Sequence, residues 1–416
     1  MKIRLALKGR KPFCLAVSPA KQKMPSLRPR RLCGENFISD KHDLRAMTVL
    51  KFKRIFLDEE AERDEATQIL LRNLPAVPVE RIRDKRLLIK RFSDLTDPLA
   101  EGKKVLWVTR FYGRRLKPCP GTSNHICCGY NVINAITNCP MDCSYCVLQT
   151  YLTNPLLTLY SNWDDMLGEI QNFLFMKPQA LVRLGTGELS DSLALDPIFP
   201  LSQVLIPFFA ERKNGILELK TKSAEISHLL SLEHRNRTVV SWSLNPPRII
   251  EEEEMDTASL EQRIEAARKC QEKGYLLGFH FDPIIYHEGW EEGYRETITS
   301  LFQQIDPRRV AWVSLGGFRY PPQLKAIAKE RFSKTRIFLG ELFPGKDAKF
   351  RYLKDIRVEM YQKMVGWLQH VDPTLFVYLC MESRDVWTQV FGWSPQNSIH
   401  LNHLFEKRLR AFVSEE

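Results

Sequence analysis

Residues 138–146 read Asn138-Cys139-Pro140-Met141-Asp142-Cys143-Ser144-Tyr145-Cys146, directly after the short apolar run 131–137. Three thiolates separated by three and then two residues can wrap three corners of a cubane from one loop. Soft thiolates select iron–sulfur clusters or zinc. The loop carries no fourth cysteine, so a [4Fe–4S] cluster held at Cys139, Cys143 and Cys146 keeps one iron open. An open iron can chelate the amino and carboxylate groups of S-adenosylmethionine. One electron from the reduced cluster then splits a carbon–sulfur bond and leaves a 5′-deoxyadenosyl radical. Zinc held by the same three thiols with Cys127 or Cys128 stands as the competing reading.

Outward from this loop the pattern is regular. Apolar, β-branched runs at 131–137, 180–184, 216–221, 237–244, 275–281 and 309–315 alternate with helical stretches at 163–175, 201–212, 223–232, 259–273, 290–304 and 322–332. Near-continuous apolar strands suit a parallel sheet covered on both faces. Right-handed crossovers curl such a sheet into a partial (β/α)6 TIM-type barrel. Polar residues fall at the strand ends: Asn138-Cys139, Gly185-Thr186-Gly187-Glu188, Lys220-Thr221-Lys222-Ser223, Ser243-Leu244-Asn245 and His280-Phe281-Asp282. All strand-to-helix loops of a parallel barrel open on that rim.

The expected organisation is a basic, disordered extension over 1–46, a mixed α/β region and loop over 47–130, the barrel over 131–333, and a C-terminal hairpin and helical extension over 334–416. Residues 1–46 hold twelve Lys and Arg against three acids, so nine of the eleven net positive charges sit there. The remainder is almost neutral, and bulk charge is weak evidence for nucleic-acid binding. The head could be a nucleic-acid arm, a targeting segment, or an extension ahead of a start at Met47. Ten cysteines without a secretory signal pattern point to reduced thiols and a cytoplasmic protein. No unbroken apolar run approaches the length of a membrane span.

A series of motifs runs in order through roughly 105–390: Cys128-Gly129-Tyr130, Cys143-Ser144-Tyr145-Cys146-Val147-Leu148, Ser190-Asp191-Ser192, Glu218-Leu219-Lys220-Thr221-Lys222-Ser223, Val240-Ser241-Trp242-Ser243-Leu244 and Gly278-Phe279-His280-Phe281-Asp282-Pro283. The series resembles the spore photoproduct lyase family of radical S-adenosylmethionine enzymes. The resemblance implies a radical S-adenosylmethionine fold, a cluster on Cys139, Cys143 and Cys146, and cofactor contacts from Tyr145, Ser190, Lys222 and Ser243. It also implies repair of a thymine dimer lesion in DNA, with a flavodoxin or ferredoxin as electron donor. Two family residues are replaced. Where the repair enzymes carry a cysteine that returns a hydrogen atom to the product radical, this chain has Glu188. Where they carry a tyrosine after the last cluster ligand, it has Val147. A carboxylate cannot stand in for a thiol as hydrogen-atom donor. Glu188 therefore reads as a ligand for the methionine amino group, or as a capping or ion-pair residue. A radical enzyme on a non-lesion substrate and a metal-bearing nucleic-acid-binding protein without turnover remain as alternatives.

Other positions divide similarly. Lys222 pairs with the cofactor carboxylate or caps the rim. Asp282 holds ribose hydroxyls or sits in an Asp-Pro turn. His280 reads as a satisfied buried histidine rather than a substrate contact, and Trp242, Trp312 and Phe279 as core rather than base-stacking platforms. The acidic run 251–254 reads as a solvated loop. Segments 337–339 and 349–352 flank 343–345 and read as a hairpin carrying Lys346, Lys349 and Arg351 or as a surface loop, and 378–382 reads as a last strand with Cys380 packed in the core.

Overall fold

The computed structural model describes residues 52–122 and 124–413; the expectations for 1–46 lie outside them. Residues 52–109 do not form an appendage. They start a five-stranded sheet in the order Val79–Ile82, Arg54–Asp58, Val105–Thr109, Leu157–Tyr160, Ile136–Thr137, the first four parallel and the last antiparallel. Period-two alternation in Arg54-Ile55-Phe56-Leu57 sends Ile55 and Leu57 to the main core and Phe56 to a smaller cluster with Phe92 and Trp107. Glu65–Asn73 forms a helix ahead of Pro75, preceded by a 3-10 turn.

The second sheet has eight strands: β1 (Leu116–Pro118), β2 (Asn131–Ile133), β3 (Val182–Gly185), β4 (Gly215–Thr221), β5 (Thr238–Ser243), β6 (Leu276–Ile284), β7 (Val310–Gly317) and β8 (Val377–Leu379). They lie in simple sequence order. β2 to β8 are parallel, and β1 pairs antiparallel with β2 at one edge. This is the expected partial barrel with seven parallel strands rather than six. The seventh is the expected last strand, shifted to Val377–Leu379. An isolated bridge from Ile126 to Glu382 brings the loop between β1 and β2 to the chain just beyond β8.

Alternation decides what enters the lumen. Leu277, Phe279 and Phe281 of β6 are fully buried with Trp242 and Trp312, and His280 and Asp282 line the cavity. The expectation of a core role for Trp242, Trp312 and Phe279 therefore holds.

Three local expectations are corrected. The run 131–137 is not one strand: it breaks at Asn134 and Ala135, and its second half joins the other sheet. The third helix is absent among the described residues; 223–232 contains one 3-10 turn, Leu229–Ser231. Side chains there compete for the backbone, with Ser223 N–H donating to Thr221 Oγ1 at 2.8 Å and Glu225 N–H to Ser223 Oγ at 3.0 Å. The hairpin forms, but between Phe343–Pro344 and Phe350–Arg351, with Arg319–Tyr320 as a third strand. Residues 337–339 are not part of it. No helix among the described residues is long and apolar enough to cross a membrane.

Candidate active site in the barrel lumen

The backbone is bent at the start of the cysteine loop. Asn138 takes φ of 72° and its side chain accepts from Cys139 N–H at 2.8 Å. Asparagine tolerates this left-handed conformation better than most residues. Asp142 and Cys143 then pair antiparallel with Glu254–Met255. Asp142 is held by Lys103 at 2.7 Å and by Arg331 at 2.9 Å. Arg331 also donates to Gln149, whose amide reaches the carbonyls of Ser144 at 3.1 Å and Cys143 at 3.3 Å. The loop is thus clamped from three distant segments.

A cavity of about 340 Å³ opens beside it. Cys139, Cys143, Cys146, Tyr145, Glu188, Ser190, Lys222 and Ser243, the candidates read from the sequence, all line it. Among the described residues no three His, Cys, Asp or Glu side chains converge on one metal-ion position. A cubane asks for something different, thiols spread round one mouth, and the three cysteines share that wall. Burial pushes the Cys139 thiol up to about 12, and Cys143 is displaced in the same direction. The buried hydroxyl of Ser190 has no hydrogen-bond partner in the protein. A soft-donor wall facing an unsatisfied buried hydroxyl fits a cluster with a polar ligand between them.

Glu254 is the residue the sequence reading missed. Glu253 and Glu254 are buried, which overturns the solvated-loop expectation for that part of 251–254. Glu254 accepts from Tyr145 Oη, from Asn245 Nδ2 at 2.8 Å, from Lys222 Nζ at 3.3 Å and from Arg263 Nη2 at 2.6 Å. Burial alone would raise its pKa, but Lys222 and Arg263 bring it down to about 2. Lys222 also donates to Tyr145 Oη at 2.7 Å, so both candidates are tied into this node. Arg263, one turn into the capped helix Leu260–Glu272, and Lys222 together make a buried glutamate tolerable here.

Glu188 is ion-paired with Lys220 at 2.5 Å, the side chains 30% and 24% exposed. Gly187 permits this approach, since a Cβ there would stand 2.6 Å from the Lys220 Cβ. Asp191 staples the loop to β4, accepting from Thr221 Oγ1 and Lys222 N–H at 2.7 Å each. Deeper in the lumen, Glu218 accepts from Ser241 at 2.9 Å and pairs with His280 at 2.8 Å, so His280 is the satisfied buried histidine expected. Asp282 lies within β6 rather than in a turn, and its carboxylate grips Arg319 at 2.9 and 3.1 Å. Burial opposes its charge, and Arg319 holds its pKa below the usual range. Arg319 also approaches Cys380 Sγ at 3.4 Å, so Cys380 lines the cavity rather than only packing the core. The two strand ends carrying Asp282 and Cys380 are far apart in sequence, and no local pattern announces the contact.

A curled parallel sheet whose C-terminal rim gathers three cysteines of one loop, a buried serine and charged strand ends defines a radical S-adenosylmethionine fold. The spore photoproduct lyase family model matches residues 125–368. The chain belongs to the spore photoproduct lyase family. It is 31% identical over 208 residues to the spore photoproduct lyases of a Geobacillus species and of Bacillus subtilis, covering 49% of this chain and 61% of each relative. The Clostridium acetobutylicum protein is 28% identical over 238 residues, 57% of this chain and 69% of that one. A solved spore photoproduct lyase, a cysteine-to-alanine mutant with dinucleoside spore photoproduct, superposes with a TM-score of 0.71 at 25% identity, covering 79% of this chain and 98% of that chain. A further mutant with bound AdoMet and the dinucleoside shares the fold, at TM-score 0.68 and 24% identity.

Proposed function

We propose that the chain is a radical S-adenosylmethionine lyase that acts on a thymine lesion in DNA. The observation carrying this reading is the convergence of Cys139, Cys143 and Cys146 with Ser190 and Ser243 on one cavity. Bound there, a reduced cluster and S-adenosylmethionine supply a carbon radical that removes one hydrogen atom from substrate. The chain's own work is placement and protection. The Asp142–Arg331–Gln149 clamp fixes the cysteine loop. The Glu254 node holds Tyr145 and Lys222 at the rim. The Glu188–Lys220 pair offers a carboxylate to an ammonium group. The barrel wall keeps water and stray hydrogen donors away. Lys349 on the hairpin also lines the cavity, where it suits the anionic backbone of a nucleic acid. This chemistry requires a one-electron donor, such as a flavodoxin or ferredoxin.

A second reading, the same radical chemistry on a non-lesion substrate, is favoured by Glu188 standing where the repair enzymes carry a thiol. Anaerobic reconstitution followed by iron and sulfide analysis tests the first step. Wild type is expected to bind four iron and four sulfide, the inventory of one cubane, and C143A to lose them. Stoichiometric zinc without iron in wild type would sink the radical reading. 5′-Deoxyadenosine release excludes a binding module, and failure to restore thymines in a lesion-bearing oligonucleotide while releasing it selects the second reading.

A further inference from the structure

Opening a carbon–carbon bridge by removing one hydrogen atom leaves a carbon radical on the product, and a hydrogen atom must come back. Thiol S–H and tyrosine O–H bonds are similarly weak, but thiols pass a hydrogen atom to a carbon radical much faster, so the donor is sought among thiols in the cavity. Outside the cluster loop three line it: Cys119, Cys128 and Cys380. Cys119 and Cys128 lie on the loop between β1 and β2, which turns at Gly129 with φ of 69°. Cys380 is fixed. Its N–H donates to Leu315 O at 2.8 Å, and Arg319 stands 3.4 Å from its sulfur with the guanidinium gripped by Asp282. Tyr130 lines the same cavity. The fully buried Tyr130 hydroxyl has no partner and lies over Gly185, where a Cβ would come within 2.1 Å of it.

We propose that Cys380 is the residue that returns the hydrogen atom to the product radical, an assignment that rests on the lyase reading above. The S–H bond breaks, a C–H bond forms on the product, and a thiyl radical is left on Cys380. That radical returns to the thiol by taking one electron from a one-electron donor of the flavin or iron–sulfur class and one proton from solvent. Burial, reinforced by the Asp282 carboxylate, raises the thiol pKa and outweighs Arg319, so the hydrogen stays on sulfur. That suits atom transfer and would disable a nucleophile.

The test is turnover of a lesion dinucleotide in D₂O, with product mass and the ratio of product to 5′-deoxyadenosine as readouts. Wild type is expected to give product carrying one deuterium. C380S and C380A should release 5′-deoxyadenosine normally while the ratio of labelled product to it falls about tenfold or more, the effect of ~1.4 kcal/mol on one barrier. Melting curves check that both variants fold. Unlabelled product from wild type, an unchanged ratio in the folded variants, or the same loss in C119S or C128S instead of C380S would overturn the assignment. Absence of 5′-deoxyadenosine from wild type would overturn the underlying lyase reading, and is thereby told apart from failure of Cys380. A check without turnover is iodoacetamide mapping of the cluster-free protein. A dinucleotide shown by fluorescence to be bound should slow alkylation of Cys380; unchanged labelling with the dinucleotide bound would overturn its placement beside substrate.

Discussion

Two carboxylates, Glu254 and Glu188, have contrasting surroundings. Glu254 and its partner Arg263 are wholly buried, and Glu254 also accepts hydrogen bonds from Tyr145, Asn245 and Lys222. Glu188 has one ammonium partner, and both side chains keep about a quarter of their surface open to the cavity. A buried charge with every lone pair engaged is scaffold, because loss of any partner leaves an uncompensated ion in a low dielectric. A charge that shares one partner and still faces a cavity retains capacity for a ligand. The difference separates the residues that hold the site from those that can serve it.

The contrast is most severely tested by E254A. It strands Lys222 and Arg263 together and should cost about 3–5 kcal/mol, read from urea unfolding. A loss under ~1 kcal/mol would refute the scaffold role. The pH dependence sharpens the same point. The folded pKa of Glu254 lies near 2, below its unfolded value near ~4.3, so its stabilisation is whole above the unfolded value and drains as the pH falls toward the folded one. Wild type should therefore lose stability steeply over that interval, and E254Q should show a shallower acid limb. At the other carboxylate, E188Q and K220M should each change stability by only about 1 kcal/mol or less, as partly exposed pairs do. S-adenosylmethionine affinity of the reconstituted protein should nevertheless weaken about tenfold in E188Q, the equivalent of ~1.4 kcal/mol, measured by equilibrium dialysis. Equal affinity in E188Q and wild type would return Glu188 to a plain rim ion pair.

Strand ends were legible in the chain because their chemistry is local. Cys139, Cys143 and Cys146 sit within eight residues, and Glu188, Ser190, Lys222 and Ser243 each follow an apolar run. The acidic run 251–254 was misread for a physical reason. Four adjacent acids normally stay in water, and what buries two of them is a register pairing with 142–143 together with Lys222 and Arg263. Likewise Cys380 reads as a core residue until Arg319, held by Asp282, is seen beside its sulfur.

Sequence by itself determined the cysteine loop, the parallel half-barrel and the polar rim, since spacing and periodicity act over a few residues. Tertiary structure alone decided which charges are buried together, that 52–109 shares a sheet with 157–160, and which thiols share the lumen. Those outcomes depend on segments far apart in the chain meeting where water is excluded, and no local pattern encodes such a meeting.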